Sequence, residues 1–164
     1  MPTTLELAKA HAAAEDRHDV AATLATFSQD CAYTVEAFGI DLRGKEQIGQ
    51  HYSGTFSAFP DFFNKEVLWF DAGHDVFGKA LVEFTHNRTW NGLPPTGKKI
   101  SFWSFAHFPR GKDGLLAAEH IYMNGNEFLH KLGALPSASA FEIAAHIQAL
   151  ERRIAELQQE CARR

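Results

Sequence analysis

The chain has 164 residues, 45% hydrophobic and 22% charged, with a net charge of -4. This composition suits one globular domain with an appendage and offers no general attraction for nucleic acid or an anionic membrane. No signal-like N-terminus or apolar run of transmembrane length is visible, and Cys31 and Cys161 lack metal-ligand spacing, so a cytoplasmic chain with free thiols is expected.

Thr3-Thr4-Leu5-Glu6 reads as a capping box opening a first helix, with Leu7, His11 and Ala14 along one face. Asp19 is a good cap for a second helix, expected to bury Val20, Leu24 and Phe27 before Ser28-Gln29-Asp30 breaks it. A short strand is expected over 32–37, with a turn at Phe38-Gly39. A third helix runs from Gly44-Lys45 to about Ala58, with Ile48, Tyr52 and Phe56 at helical spacing, and ends at Pro60-Asp61. Four strands follow, over 64–70, 78–90, 99–108 and 115–124, then a short helix over 126–132 with Gly133 as its C-cap. Helices first and antiparallel strands after predict an α+β fold, with helices on the concave face of a bent sheet.

That domain is expected to span residues 1–133, followed by a linker over 134–137. Residues 138–164 read as an amphipathic helix. Ile143, Ile147, Leu150, Ile154, Leu157 and Cys161 fall at steps of four and three. Ile147 and Ile154 take heptad position a, and Ile143, Leu150 and Leu157 position d, a pattern that favours a parallel pair. A homo-oligomer, dimer or higher, through residues 138–164 is therefore expected. A stripe folded back on its own domain is the alternative.

The stretch over 80–108 is two strands joined by the turn-rich 91–97. Alternation puts Val82, Phe84, His86, Arg88 and Trp90 on one face. On an otherwise apolar face, His86 and Arg88 need a partner or a task. Alternation also groups His120, Tyr122 and Asn124. The 14 Phe suit a core, and equally a cavity lined for an apolar ligand, with Trp90, Trp103 and Tyr33 as wall or core. Nine His invite a metal, but no pair is read as having tight ligand spacing, such as an i, i+4 arrangement with a carboxylate. No phosphate loop or Gly-x-Ser-x-Gly elbow appears, so neither metal nor organic cofactor is expected.

The element order resembles the nuclear transport factor 2-like fold and, within it, the SnoaL-like polyketide cyclase branch. The resemblance is carried by GKEQIGQHYSGTFSAFPD over 44–61, THNRTWNGLPPTG over 85–97 and EHIYMNGNEFLHKLG over 119–133, and it covers about residues 4–133. It implies a sheet curled into a cone capped by helices, with the ligand pocket at its mouth and interior. It also implies cofactor-free chemistry on polycyclic or polyketide substrates: a proton taken from a carbon beside carbonyls, and an enolate held by donors. That branch's last-strand Asp, nine residues before the closing Gly, falls on Asn124, which can donate a hydrogen bond but not take a proton.

The resemblance places His86 as the inward imidazole and Arg88 as a pocket cation. Tyr122 and His120 then line the cavity beside Asn124. Similarity to ketosteroid isomerase implies a base at Val35 or, with a one-residue shift, Glu36, and it sets His11 at the first-helix tyrosine position. The expected catalytic residues are thus His86, Asn124, Tyr122 and Glu36. Arg88, His11, His120, Trp90, Trp103 and Tyr33 are expected to bind substrate. The implied function is acid–base chemistry (cyclisation, isomerisation or a lyase step) on a small apolar carbonyl-bearing molecule, without nucleic-acid or membrane partners. A non-catalytic binding or oligomerisation module is the alternative. Epoxide hydrolysis of the limonene type comes third, because the paired inward carboxylates it needs are not evident.

Overall fold

A computed structural model describes residues 1–135, 147–148, 150–156 and 158. The chain divides into two units, Met1–Ala134 and Leu135–Arg164. The first holds every sheet and cavity discussed below.

Helix α1, Thr4–Glu15, starts at a complete capping box: the Thr3 hydroxyl accepts the Glu6 N–H, and the Glu6 carboxylate accepts the Thr3 N–H at 2.7 Å. Helix α2, Val20–Ala25, is capped by the Asp19 carboxylate. Strand β1, Phe27–Val35, follows almost at once. Phe27 was expected on the helix and Ser28-Gln29-Asp30 in a break. Instead Phe27 is fully buried as the first strand residue, paired with Leu116. A 3-10 turn, Glu36–Phe38, and a strand the sequence did not suggest, β2 (Ile40–Arg43), lead into α3, Gly44–Ala58. Then come β3 (Phe63–Ala72), β4 (Asp75–Thr85), β5 (Lys99–Pro109), β6 (Leu116–Met123) and α4 (Gly125–Leu132). Gly133 closes α4 with φ +82°, a conformation glycine adopts without a Cβ penalty.

The six strands form one curved, unclosed sheet in the order β2-β1-β6-β5-β4-β3. All neighbours are antiparallel except β1 and β6, which run parallel. Alternation along β4 buries Val76, Ala80, Val82 and Phe84, and along β5 Ile100, Phe102, Ser104, Ala106 and Phe108. These side chains meet the helices. One buried cluster joins Phe27, Ile48, Tyr52, Phe108 and Leu116, and a second joins Phe59, Phe84, Phe102, Phe128 and Leu132. Each such aromatic contributes about 1.5–3 kcal/mol by leaving water.

β4 stops at Thr85, short of the expected 90. The Asp61 carboxylate takes both the Thr85 N–H, at 2.6 Å, and its hydroxyl, at 2.7 Å. His86 still exchanges backbone hydrogen bonds with Lys98 and Gly97, but the amides of Asn87 and Arg88 donate to the Ala58 carbonyl instead of a neighbouring strand. Strand alternation therefore ends before Arg88.

In the second unit, the described residues 147–148, 150–156 and 158 are helical, and Ile147, Leu150 and Ile154 are about half exposed. Ile143, Leu157 and Cys161 of the predicted seam lie outside the described residues. Among the described residues, no helix is long and apolar enough to cross a membrane.

Candidate active site

Between α1 and the sheet lies a cavity of about 100 Å³. Its walls are mostly apolar: Ala12 from α1, Tyr33 from β1, Val67 and Trp69 from β3, Ala80 and Val82 from β4, Phe102, Ala106 and Phe108 from β5, and Ile121 and Met123 from β6. Gly78 makes room for the Trp69 indole; a Cβ there would sit 3.0 Å from its Cζ3. Two carboxylates break the apolar lining, Glu15 from the last turn of α1 and Glu119 from β6. An adjoining compartment of about 80 Å³ shares Tyr33, Phe62, Phe102 and Met123 with the first.

Behind the carboxylates sits His11, fully buried. The Thr26 hydroxyl donates to the Thr23 carbonyl at 2.7 Å, so it accepts from His11, and the 2.8 Å contact fixes a proton on Nδ1. Nε2 then faces Glu119 Oε2 at 3.2 Å, the Tyr52 hydroxyl at 3.1 Å and Glu15 Oε1 at 3.6 Å. Tyr52 donates to the same Glu119 oxygen at 2.5 Å. Burial alone would push the His11 pKa down, but the charges of Glu119 and Glu15 outweigh it and raise it to about 10. The ring is therefore an imidazolium held between two carboxylates. Burial is also the main influence on Glu15, reinforced by the Glu119 charge and opposed by His11; it raises that carboxyl to about 7. Burial and the neighbouring Glu119 keep the Tyr33 and Tyr52 hydroxyls protonated.

Nε2 of His11 and the Glu15 and Glu119 oxygens lie within 4.8 Å of one another, a set of atoms that could also approach a metal ion. Hydrogen bonds join His11, Tyr52 and Glu119, while Glu15 meets Nε2 as an ion pair at 3.6 Å. His11 and Glu15 are an i, i+4 imidazole–carboxylate pair on α1, a spacing of one His to one carboxylate that the expected lack of paired His ligands does not touch. That spacing was the one sequence signal able to find Glu15.

A family model described as SnoaL-like polyketide cyclase matches residues 5–131. The chain belongs to the SnoaL-like polyketide cyclase family. Solved structures share its fold. A candidate polyketide cyclase from Pseudomonas putida is 21% identical, with TM-score 0.74 over 80% of this chain and 99% of that one. AclR, a candidate hydroxylase from Streptomyces galilaeus, is 23% identical, with TM-score 0.66 over 81% and 97%. A protein of ketosteroid isomerase-like fold from Catenulispora acidiphila, solved with trimethylamine, is 20% identical, with TM-score 0.64 over 80% and 95%. No curated protein sequence matches the chain.

In this SnoaL-like chain, the residues expected at the site divide into three groups. His11 and Tyr33 are at the cavity, His11 as the buried cation and Tyr33 as wall. Trp90 lines the second compartment, as does Val35. The remaining residues lie elsewhere, which corrects their expected roles. On β6 the cavity face is Glu119, Ile121 and Met123, so His120 and Tyr122 point to the opposite face. There they line an open groove with Glu36 and His107, and His120 Nδ1 lies 2.9 Å from the Thr34 hydroxyl. Burial holds His120 below its ordinary pKa. Asn124 has left the strand and caps α4, its side-chain Oδ1 accepting the Glu127 N–H. Trp103 is exposed on the outer sheet face under Lys79 Nζ. Arg88 is exposed and reaches the Ser57 hydroxyl at 3.3 Å. His86 is fully buried, but beneath the 91–97 loop, 3.3 Å from the Thr96 hydroxyl, and it borders neither compartment. Burial lowers its pKa, and its Nε2 has no hydrogen-bond partner among the described residues.

Proposed function

We propose that the chain catalyses proton transfer at a carbon beside a carbonyl, in a small apolar molecule, using side chains alone. The observation that carries this reading is a pair of carboxylates, backed by one imidazolium, at the wall of a mostly apolar cavity to which Asn64 and Ser104 add the other polar side chains beside Tyr33. Glu119 is the base. Its Oε2 accepts from the Tyr52 hydroxyl and the His11 Nε2–H, donors already in place when substrate enters. Glu15, raised by burial to about 7, can hold a proton near neutral pH and deliver it to the oxygen that gains charge. His11 balances the pair and keeps both carboxylates from being ionised without a cation. Cyclisation and isomerisation both begin with this step.

The test is hydrogen–deuterium exchange at the α-carbon of cyclic β-diketones and enones in D2O, followed by NMR. Catalysed exchange is expected, with a loss of about 10²–10⁴-fold in Glu119→Gln. Exchange unchanged in that variant would remove Glu119 from the chemistry.

The paired inward carboxylates also favour a second reading, water addition to an epoxide. One carboxylate would take a proton from water and the other would protonate the ring oxygen. Incorporation of ¹⁸O from labelled water into a diol distinguishes it from carbon-acid chemistry. The C-terminal segment over 138–164 completes the proposal as a self-association element, supported by the half-exposed Ile147, Leu150 and Ile154 on described helix.

A further inference from the structure

The second compartment is walled in part by two residues whose side-chain donors the acid–base chemistry does not use. The rings of Phe38, Phe59 and Phe128 each lie 5.5, 5.5 and 5.5 Å, centroid to centroid, from the ring of Trp90. In that aromatic surround, the Trp90 indole Nε1 and the Thr55 hydroxyl are shut off from solvent, and neither has a hydrogen-bond partner among the described residues. A buried indole N–H ordinarily finds an acceptor, and leaving one unpaired is costly. Trp90 and Thr55 also line an outer cleft of about 130 Å³ beside Asn91. They therefore stand as the partition between that cleft and the compartment. Asn91, with φ +45°, and Gly92 are the central pair of a tight turn in which Trp90 and Leu93 exchange both backbone hydrogen bonds.

We infer that Trp90 and Thr55 are specificity residues: their N–H and O–H bind a hydrogen-bond acceptor oxygen of the ligand, apart from the carbon that gives its proton to Glu119. The ligand class is a compact, ring-bearing molecule with a carbonyl or ether oxygen. Its ring packs against the phenylalanines, and the shared walls at Tyr33 and Phe102 let it reach both compartments. This rests on the proposed function only in taking the ligand to be small and oxygenated. The donors would read that oxygen whether or not proton transfer follows.

The probes are 1-tetralone and tetralin, the same bicycle with and without an acceptor oxygen, titrated into the full chain by calorimetry. Wild type is expected to bind the ketone about tenfold more tightly, the size of one well-made hydrogen bond to a buried donor. Trp90→Phe, which keeps an aromatic ring and removes the N–H, is expected to erase most of that preference while leaving tetralin affinity in place. Thr55→Val supplies the same comparison from the other donor, should Trp90→Phe fail to fold. In Glu119→Gln the preference is expected to persist, so lost chemistry and lost recognition are read separately. Equal affinities in wild type, no binding of either probe, or a ketone preference that survives both donor substitutions overturns the inference.

Discussion

Raising the pH from 7 to 9 should cost this protein a measurable part of its stability, through one buried ring. Desolvation opposes charge on His11, yet Glu119 at 3.2 Å and Glu15 at 3.6 Å raise its pKa from 6.5 to about 10. The other groups facing the ring, Tyr52 from α3 and Thr26 after α2, are uncharged. The folded state thus holds the proton more tightly than the unfolded chain. Its contribution is complete below pH 6.5 and is lost as pH rises through about 10. The difference corresponds to about 5 kcal/mol in full, of which about 2–3 kcal/mol disappears between pH 7 and 9. Glu15, raised from 4.5 to about 7, adds a fall of the same sign that is mostly complete by pH 7, and Cys31, raised above 9.0 by burial, adds one that begins near pH 9, so His11 dominates the window from 7 to 9. With ordinary urea dependence this loss moves the unfolding midpoint down by about 1–2 M. The His11 Cε1–H resonance, followed by NMR over the same range, reports the proton directly. A flat midpoint across the window, or an imidazole that titrates near 6.5, would refute the ion-pair reading of the cluster.

Other substitutions separate structural from chemical roles. Asn124→Ala should cost about 1 kcal/mol in thermal or urea unfolding, because it deletes the α4 cap, while α-carbon exchange continues unchanged. Asn124→Asp, another good cap, should leave stability near wild type. Gly78→Ala should weaken binding of small apolar ligands and destabilise by about 1–3 kcal/mol, since its methyl presses on the Trp69 indole and the shift must be taken up by the cavity. Replacing Ile147 and Ile154 together by Lys should shift the sedimentation coefficient of the full chain to that of a monomer, with the melting of the first unit retained.

Much of the fold was legible because its signals are local. The Thr3–Glu6 capping box, the Asp19 cap, the Gly44–Ala58 helix and the left-handed Gly133 each depend on a few neighbouring residues, and each appears in the structure where the sequence put it. The Phe27 strand start and β2 were missed for the complementary reason. Phe27 is a strand residue only because Leu116, far along the chain, pairs with it, and β2 exists only as the antiparallel edge of β1. Short segments of this kind are set by their partners rather than by propensity.

The site was harder to read, because it depends on parity and on long-range pairing. Counting back from Gly133 reached Asn124, one residue past the end of β6 at Met123. Alternation no longer holds there, and the face inferred from it, His120 and Tyr122, was the wrong one; a shift of one residue exchanges every side chain between cavity and outer groove. The residues that do face inward were each unattractive when read singly. A buried Glu on an apolar strand, a buried Glu at the end of an apolar helix and a buried His are each costly without a partner. Together they form one charge-balanced unit, His11 between Glu15 and Glu119, with Tyr52 completing the hydrogen bonds. His11 and Glu119 are separated by 108 residues, so only the fold could bring them together. The trace such a unit leaves in a sequence is therefore not a motif. It is a set of polar residues on faces that should be apolar, each unexplained until the others are placed beside it.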